Sequence, residues 1–246
     1  MAHAIRLIVF DIDGVISRGE AAALDLDLLE RLAGMNRRAR TDSTRPAVTL
    51  CTGRPAPYVE LMLQAIDGHL PGIFENGAGL YVPENYQFLP HPRLPYGIDM
   101  KAVRHTLEAG LVQTGRAYFQ PGKEYTLTLF AHDPAETDRL LDWAAAALGP
   151  LRETVDLVSS ISCINVLPRG VDKGRGLEFL AEKTGYHVAE MLGVGDSDVD
   201  LPFLDLVGYS AAPANAVPEV KRLVHYVAPR PAVDGVRDIL DYFGLS

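Results

Sequence analysis

The fold of this chain is decided by the stretch Leu7-Ile8-Val9-Phe10-Asp11-Ile12-Asp13-Gly14-Val15. A continuous apolar run is typical of a buried strand in a parallel sheet, and such sheets bind ligands just beyond the carboxyl ends of their strands. Side chains two residues apart in extended backbone point to the same side, so Asp11 and Asp13 are predicted to project into one crevice. Their mutual repulsion requires a shared proton or a cation between them. The stretch therefore predicts a functional site at the end of the first strand.

Apolar strands alternate with helices on both sides of a central insertion. The helix predicted over residues 24–38 places Leu24, Leu28, Leu32 and Met35 on one face. Strands predicted over 47–51 and 191–195 are, like the first one, followed by polar residues. This alternation predicts an α/β fold with a Rossmann-like parallel-sheet core, formed by residues 1–82 and 168–246.

The alternation is interrupted between these two segments. Four prolines and no periodicity predict a linker over residues 83–95. Beyond it the pattern is helix-strand-strand-helix-strand-strand, and the strand over 124–131 alternates apolar and polar side chains, as in a sheet with one solvated face. We therefore predict an inserted α+β cap domain over residues 83–167. Polar side chains of this insertion that could meet a substrate are Arg116, Lys123, Tyr125 and His132. A solvated sheet face explains each of them more simply.

Composition limits the classes of function. The length of 246 residues is enough for one large domain or two small ones, and the hydrophobic content of 48% allows a sizeable core. The formal charge of −9 argues against binding along a nucleic-acid backbone, and no apolar stretch reaches the ~18 residues of a membrane span. Residues 1–6 lead directly into a strand and leave no room for a signal peptide, so we expect a cytoplasmic monomer or homodimer. Cys51 and Cys163 lie in apolar runs and are interpreted as small buried hydrophobic residues.

Three further segments place polar groups where the sheet would end. Thr52 and Gly53 follow the second apolar strand. Lys173 precedes a predicted helix, and Asp196 opens an acidic cluster after a buried strand. These residue types fit phosphoryl transfer, in which a carboxylate can attack phosphorus, an acid can protonate the leaving oxygen, and donors can hold the phosphoryl oxygens. Several carboxylate oxygens also suit Mg²⁺, which would relieve the repulsion among the acids.

Each of these residues also has a simpler structural explanation. Taken alone, Thr52 could cap a helix, and Lys173 could be a solvated surface charge. Asp200 could cap the helix that follows it, and Arg54 could form an ion pair at a helix start as readily as it could contact phosphate. Asp198 is interpreted as a solvated turn residue.

The order of these motifs resembles that of the haloacid dehalogenase superfamily. D-x-D-G at residues 11–14 is followed by T-G-R at 52–54, by a lone lysine at 173, and by G-D-S-x-x-D at 195–200. Further segments that resemble the family are 74–78, 166–174, 215–221 and 234–236. The insertion lies between the third strand and the lysine, which resembles the C2-capped, Cof-like or type IIB branch. The resemblance covers essentially the whole core.

The resemblance implies roles for the acidic residues. Asp11 would be the nucleophile, and Asp13 would be the general acid and base. Asp11, the backbone carbonyl of Asp13 and Asp196 would hold Mg²⁺. Two positions depart from the family pattern, because Val15 stands where the family usually has Thr, and Val199 stands where Asn is common. A local hydroxyl and one support of the metal are therefore missing.

The resemblance also implies how the phosphate is held. Thr52, the Gly53 amide and Lys173 would bind it, and Asp200 would orient Lys173 or support the metal site. The expected function is a Mg²⁺-dependent phosphatase for a small phosphorylated metabolite, such as a sugar phosphate, phosphoglycolate or a phosphoglycerate-linked sugar. The insertion would close over the site. Two alternatives stay open, namely a phosphomutase of the same branch and a non-catalytic sensor of a phosphorylated ligand or Mg²⁺.

Overall fold

The computed structural model describes residues 4–92, 94, 98–160 and 162–245. The chain divides into two compact units, one formed by Met1–His91 with Lys173–Ser246 and the other by Pro92–Asp172. The boundaries predicted from the sequence lie at residues 82/83 and 167/168. The assignment of the two parts as catalytic core and cap stays a prediction.

The predicted α/β fold is confirmed. Within the described residues the strands are β1 (Leu7–Phe10), β2 (Ala47–Leu50), β3 (Gly72–Phe74), β4 (Gly79–Val82), β5 (Gln87–Pro90), β6 (Ala117–Phe119), β7 (Leu127–Ala131), β8 (Val155–Ser159), β9 (Cys163–Pro168), β10 (Met191–Val194), β11 (Tyr209–Ala212) and β12 (Tyr226–Val227). The helices described are α1 (Leu26–Thr41), α2 (Ala56–Ala65), α3 (Met100–Leu107), α4 (Leu140–Leu148), α5 (Lys173–Thr184), α6 (Leu201–Leu204), α7 (Pro218–Leu223) and α8 (Ala232–Tyr242).

A five-stranded parallel sheet, in the order β12-β11-β10-β1-β2, forms the centre of the first unit. Strand β1 lies between β10 and β2, and all four of its residues are fully buried. A parallel strand covered on both faces needs apolar side chains at every position, which explains the continuous apolar run. The register sets Phe10 opposite Val194 on one side and Leu50 on the other, so the three strands end at the same level.

Helix α1 is tied to this sheet by a buried amide as well as by apolar contacts. Its first turn is capped by Asp25, whose side chain accepts a hydrogen bond from the Leu28 N–H at 2.9 Å. Further along, Asn36 Nδ2 donates to the Ile66 carbonyl at 3.0 Å, and Asn36 Oδ1 accepts from the Val48 N–H at 2.8 Å. Both polar atoms of this fully buried side chain are therefore satisfied.

A second sheet of the first unit differs from the sequence prediction. Strands β3, β4 and β5 pair antiparallel, with Leu80 opposite Leu89. The prediction of an aperiodic linker over residues 83–95 is wrong for residues 87–90, because these form β5. Pro90 misled the interpretation, since a proline is tolerated on an edge strand that has only one partner.

The second unit contains a four-stranded antiparallel sheet in the order β6-β7-β9-β8. Helices α3 and α4 pack with one face of it, in a core that includes Val103, Leu140 and Leu129. Thr128 and Asn165 pair across β7 and β9, and both side chains are buried. The prediction of a solvated sheet face is therefore wrong at these two positions, because the two polar side chains bond each other. Cys51 and Cys163 are both buried, as predicted. Among the residues that the structure describes, no helix is long and apolar enough to cross a membrane.

Candidate active site

Three neighbouring strands bring their polar residues to one edge of the parallel sheet. Asp11 follows β1 directly, and its N–H donates to the Val194 carbonyl at 2.9 Å. Asp196 lies two residues beyond β10, and Thr52 lies two residues beyond β2. Because the register ends these strands level, the residues that follow them become neighbours.

Lys173, the first residue of α5, lies among these acids rather than on the surface. Its Nζ is 2.9 Å from Asp11 Oδ1 and 2.6 Å from Asp200 Oδ1. The side chain of Lys173 is 1% exposed, so the interpretation as a solvated charge does not apply. Carboxylate oxygens of Asp11, Asp196 and Asp200 lie within 4.8 Å of one another. We call these four residues the acidic cluster.

The acidic cluster contains three carboxylates and one ammonium, all buried. Burial raises the pKa of Asp11 to about 7, although the charge of Lys173 acts in the opposite direction. Burial and the neighbouring carboxylates raise the pKa of Asp196 to about 8. Burial alone would lower the pKa of Lys173, but Asp11 and Asp200 raise it above its ordinary value. The cluster therefore holds its lysine charged and resists full ionisation of its acids.

These residues fit a divalent cation. With every acid ionised, three carboxylates and one ammonium leave an excess of two negative charges, which a divalent ion would neutralise. The donors are hard carboxylate oxygens, which suit Mg²⁺ or Ca²⁺ better than a soft metal. Asp11 and Asp196 are the carboxylates best able to bind it, because hydrogen bonds occupy both carboxylate oxygens of Asp200.

Of the two roles that the sequence left open for Asp200, the structure contains the contact with Lys173, whereas the predicted cap of the following helix is wrong because the Asp200 side chain makes no capping hydrogen bond to α6. Its Oδ2 accepts hydrogen bonds from the Asp196 N–H at 2.9 Å and from the N–H and Oγ of Ser197 at 2.9 and 3.1 Å. Its Oδ1 accepts from Lys173 Nζ at 2.6 Å. Asp200 thus stabilises the turn that carries Asp196 and fixes the position of the lysine.

Asn215 supports Asp196, a role that the sequence reasoning missed. Its Nδ2 donates to Asp196 Oδ2 at 2.8 Å and to the Gly14 carbonyl at 3.0 Å. Gly14 has φ +78°, and a Cβ there would lie 2.0 Å from Asp196 Oδ2, so the turn after Asp13 requires glycine. The segment 215–221, which resembles the family pattern, is the sequence signal for this asparagine.

Asp13 forms an ion pair with the arginine of the T-G-R segment. Arg54 Nε and Nη2 donate to Asp13 Oδ2 and Oδ1, each at 2.7 Å. The guanidinium also lies 4.8 Å from the centre of the Tyr58 ring. The sequence left open whether Arg54 forms an ion pair or contacts phosphate, and in the structure it forms the ion pair. Asp11 and Asp13 thus differ sharply, since one lies against a buried lysine and the other faces a partly exposed arginine.

Thr52 and Gly53 belong to a loop that backbone hydrogen bonds join to β3 and to the loop after it. The Thr52 N–H donates to the Ile73 carbonyl at 3.1 Å, and Thr52 Oγ1 accepts from the Arg54 N–H at 3.2 Å. This hydroxyl can still donate its own proton to a ligand. The N–H of Asn76 donates to the Thr52 carbonyl at 3.0 Å, which joins the loop after β3 to this segment.

The remaining sequence candidates have ordinary surroundings. Val15 is fully buried, and Asp198 is exposed as predicted. In the second unit, Arg116 lies over the Trp143 ring and His132 lies beside the Tyr118 ring. Lys123, a third candidate of the insertion, donates to Thr128 Oγ1.

Comparison with known proteins agrees with this geometry. A model of the haloacid dehalogenase-like hydrolase family matches residues 118–240, half of the chain. The phosphoglycolate phosphatase of Methanopyrus kandleri is 28% identical over 237 residues, 95% of each chain. That of Methanothrix thermoacetophila is 36% identical over 102 residues, which are 42% of this chain and 46% of that protein. A solved structure from Thermoplasma acidophilum matches with a TM-score of 0.75 and 20% identity, over 99% of this chain and 100% of that one.

The chain therefore belongs to the haloacid dehalogenase-like hydrolase family, as the order of its motifs predicted. Within that family it is a phosphoric monoester hydrolase.

Proposed function

We propose that this chain is a Mg²⁺-dependent phosphatase that hydrolyses a small phosphorylated metabolite through an aspartyl-phosphate on Asp11. The observation that carries the proposal is the position of Asp11, buried at the end of β1 with Lys173 Nζ at 2.9 Å and the carboxylate of Asp196 beside it. An anionic nucleophile can approach an anionic phosphoryl group only where positive charge offsets their repulsion. Lys173 supplies such a charge next to the attacking oxygen.

The phosphoryl oxygens would be held by Thr52 Oγ1, the Gly53 N–H and Lys173 Nζ. Lys173 keeps its proton because two carboxylates surround it, so it can act as a fixed cation. Asp11, Asp196 and the backbone carbonyl of Asp13 would hold Mg²⁺, which when bound supplies further positive charge to the phosphoryl group.

The reaction follows from these positions in two steps. In the first, a carboxylate oxygen of Asp11 forms a bond to phosphorus while the bond from phosphorus to the leaving oxygen breaks. The leaving oxygen keeps the electron pair and takes a proton from the Asp13 carboxyl group. In the second, a water oxygen attacks phosphorus and gives its proton to the Asp13 carboxylate. The bond between phosphorus and Asp11 then breaks, which releases phosphate and restores both acids.

The ion pair with Arg54 has a consequence for this cycle. Both carboxylate oxygens of Asp13 are bonded to the guanidinium, each at 2.7 Å. An oxygen released from Arg54 would be free to face the leaving oxygen and transfer a proton to it. We therefore propose that the pair opens when the substrate binds.

For the substrate we propose phosphoglycolate or a similarly small phosphorylated acid, with sugar phosphates as the nearest alternative. Support comes from relatives named phosphoglycolate phosphatase, one of them alignable over 95% of both chains. A further relative of that name, from Methanothermobacter thermautotrophicus, is 24% identical over 97% of this chain.

Phosphate release from an aryl phosphate, phosphoglycolate and several sugar phosphates, measured with and without Mg²⁺, tests the proposal. We expect turnover that requires Mg²⁺, and Asp11→Asn should lower it by at least about 10³-fold. The matched control is Asp241→Asn, since Asp241 pairs with Arg31 on the surface. Equal turnover by Asp11→Asn and the wild type would refute the nucleophile. Phosphoryl transfer to a second sugar would favour the phosphomutase, and binding without turnover would favour the sensor.

A further inference from the structure

The loop after β3 carries backbone strain at two adjacent residues. Glu75 has φ +48°, and Asn76 has φ +56° with ψ 36°. Left-handed backbone is unfavourable for residues other than glycine, although asparagine tolerates it better than most. Such conformations persist where the surrounding structure imposes them, and they are concentrated at functional sites.

This loop is bonded to the T-G-R segment on both sides of Gly53. The Asn76 N–H donates to the Thr52 carbonyl, and the Glu75 N–H donates to the Arg54 carbonyl, each at 3.0 Å. A Cβ at position 53 would lie 3.0 Å from Asn76 Oδ1 and 3.1 Å from Asn76 Nδ2. The carboxamide of Asn76 therefore lies against the residue whose N–H is proposed to bind phosphate.

The carboxamide is buried without a hydrogen bond. Asn76 is 1% exposed, and neither Oδ1 nor Nδ2 has a partner among the residues that the structure describes. Asn36 gives the contrast, because both of its polar atoms are satisfied in an equally buried setting. A buried amide without partners costs free energy and is rare in native proteins, so Asn76 requires an explanation beyond packing.

We propose that Asn76 is a further phosphate-binding residue, whose Nδ2 donates to the phosphoryl oxygen held by Thr52 and Gly53. This inference rests on the proposed function, since it needs a phosphoryl group at that loop. Nδ2 is the amide atom able to donate to an oxyanion, and Oδ1 can accept from the P–OH of a singly ionised phosphate. The strained backbone then has a role, because it turns this carboxamide toward Gly53.

Asn76→Gly separates a binding role from a structural one. Glycine adopts φ +56° without strain and removes both unpartnered atoms, so the thermal midpoint should stay the same or rise. Affinity for inorganic phosphate, measured by calorimetry with Mg²⁺ present, should fall by about 10-fold or more, as expected for the loss of a hydrogen bond to a charged group. A lower thermal midpoint with unchanged phosphate affinity would overturn the proposal.

Two further variants sharpen the test. Asn76→Asp keeps the shape of the side chain but replaces the donor with a second negative charge, so it should bind phosphate more weakly than Asn76→Gly. Asn36→Ala is the matched control, which should lose stability and keep its phosphate affinity. If Asp11→Asn abolishes turnover while Asn76→Gly binds phosphate like the wild type, this inference fails and the proposed function stands. If the wild type neither hydrolyses phosphate esters nor binds phosphate, both fail.

Discussion

The two units each contain a lysine within a polar cluster, but the two sheets place these lysines differently. In the first unit, Lys173 is buried against the carboxylates of Asp11 and Asp200 at the ends of parallel strands. In the second unit, Lys123 is partly buried and donates to Thr128 Oγ1, which donates to Asn165 Oδ1 at 2.9 Å. We call Lys123, Thr128 and Asn165 the sheet cluster.

The difference shows that the type of sheet determines the free-energy cost of burying polar side chains. A parallel sheet covered on both faces has no solvated face, so its charged residues lie at the strand ends, where they are buried together. An antiparallel sheet can place polar side chains along one face, where neutral hydrogen bonds satisfy them. The acidic cluster should therefore be sensitive to charge, pH and metal ions, whereas the sheet cluster should not.

Removing the lysine of the acidic cluster should have the largest effect on stability. Lys173→Met leaves the carboxylates of Asp11 and Asp200 buried without their cation, which should cost about 3–5 kcal/mol. Urea unfolding of the metal-free protein at pH 8, followed by circular dichroism, measures this loss. Lys183→Met is the matched control, because Lys183 is exposed on the same helix. A loss for Lys173→Met no greater than that of the control would contradict the electrostatic interpretation.

The pH dependence of stability should also distinguish the clusters. Asp11 and Asp196 have pKa values near 7 and 8 in the folded protein, above the ordinary 3.8 of the unfolded chain. Between pH 4 and these values the folded state binds more protons, so the free energy of unfolding must fall as the pH rises. The thermal midpoint of the metal-free protein should thus drop by on the order of 5 °C between about pH 5 and pH 8.

Mg²⁺ and one substitution provide the controls for that measurement. Mg²⁺ should restore the thermal midpoint at pH 8, because it binds the ionised acids of the folded state. Asp196→Asn cannot ionise at this position, so it should raise the metal-free midpoint at pH 8 and flatten its dependence on pH. A thermal midpoint that rises from pH 5 to pH 8 without metal would show that the acids of the cluster are not destabilising when ionised.

The sequence predicts the acidic cluster well because strand pattern and strand order determine it. An apolar run before Asp11 requires burial, and parallel strands with level ends bring Asp196 and Thr52 beside it. Lys173 was placed by the order of motifs rather than by any local signal, since an isolated lysine before a helix is ordinarily solvated.

Other parts of the site could not be derived from the sequence, for physical reasons. The pair of Asp13 with Arg54 depends on side-chain rotamers across 41 positions of sequence. The contacts of Asn215 and the unpartnered carboxamide of Asn76 depend on how separate loops meet. Strand β5 was missed because its single partner lets it keep a proline, which the pattern associates with loops.

The sheet cluster should give the smallest effect. Thr128→Val keeps the volume of the side chain but removes a hydroxyl that bonds Asn165 and Lys123, which should cost about 1 kcal/mol. Trp143, the single tryptophan of the chain, lies in the second unit, so its fluorescence during urea unfolding measures this loss locally. The cost should be the same at pH 5 and pH 8 and with or without Mg²⁺, because the bond from Thr128 to Asn165 joins two neutral groups. A cost that varies with pH as strongly as that of Lys173→Met would show that polar groups along an antiparallel sheet and at the ends of parallel strands obey the same electrostatics.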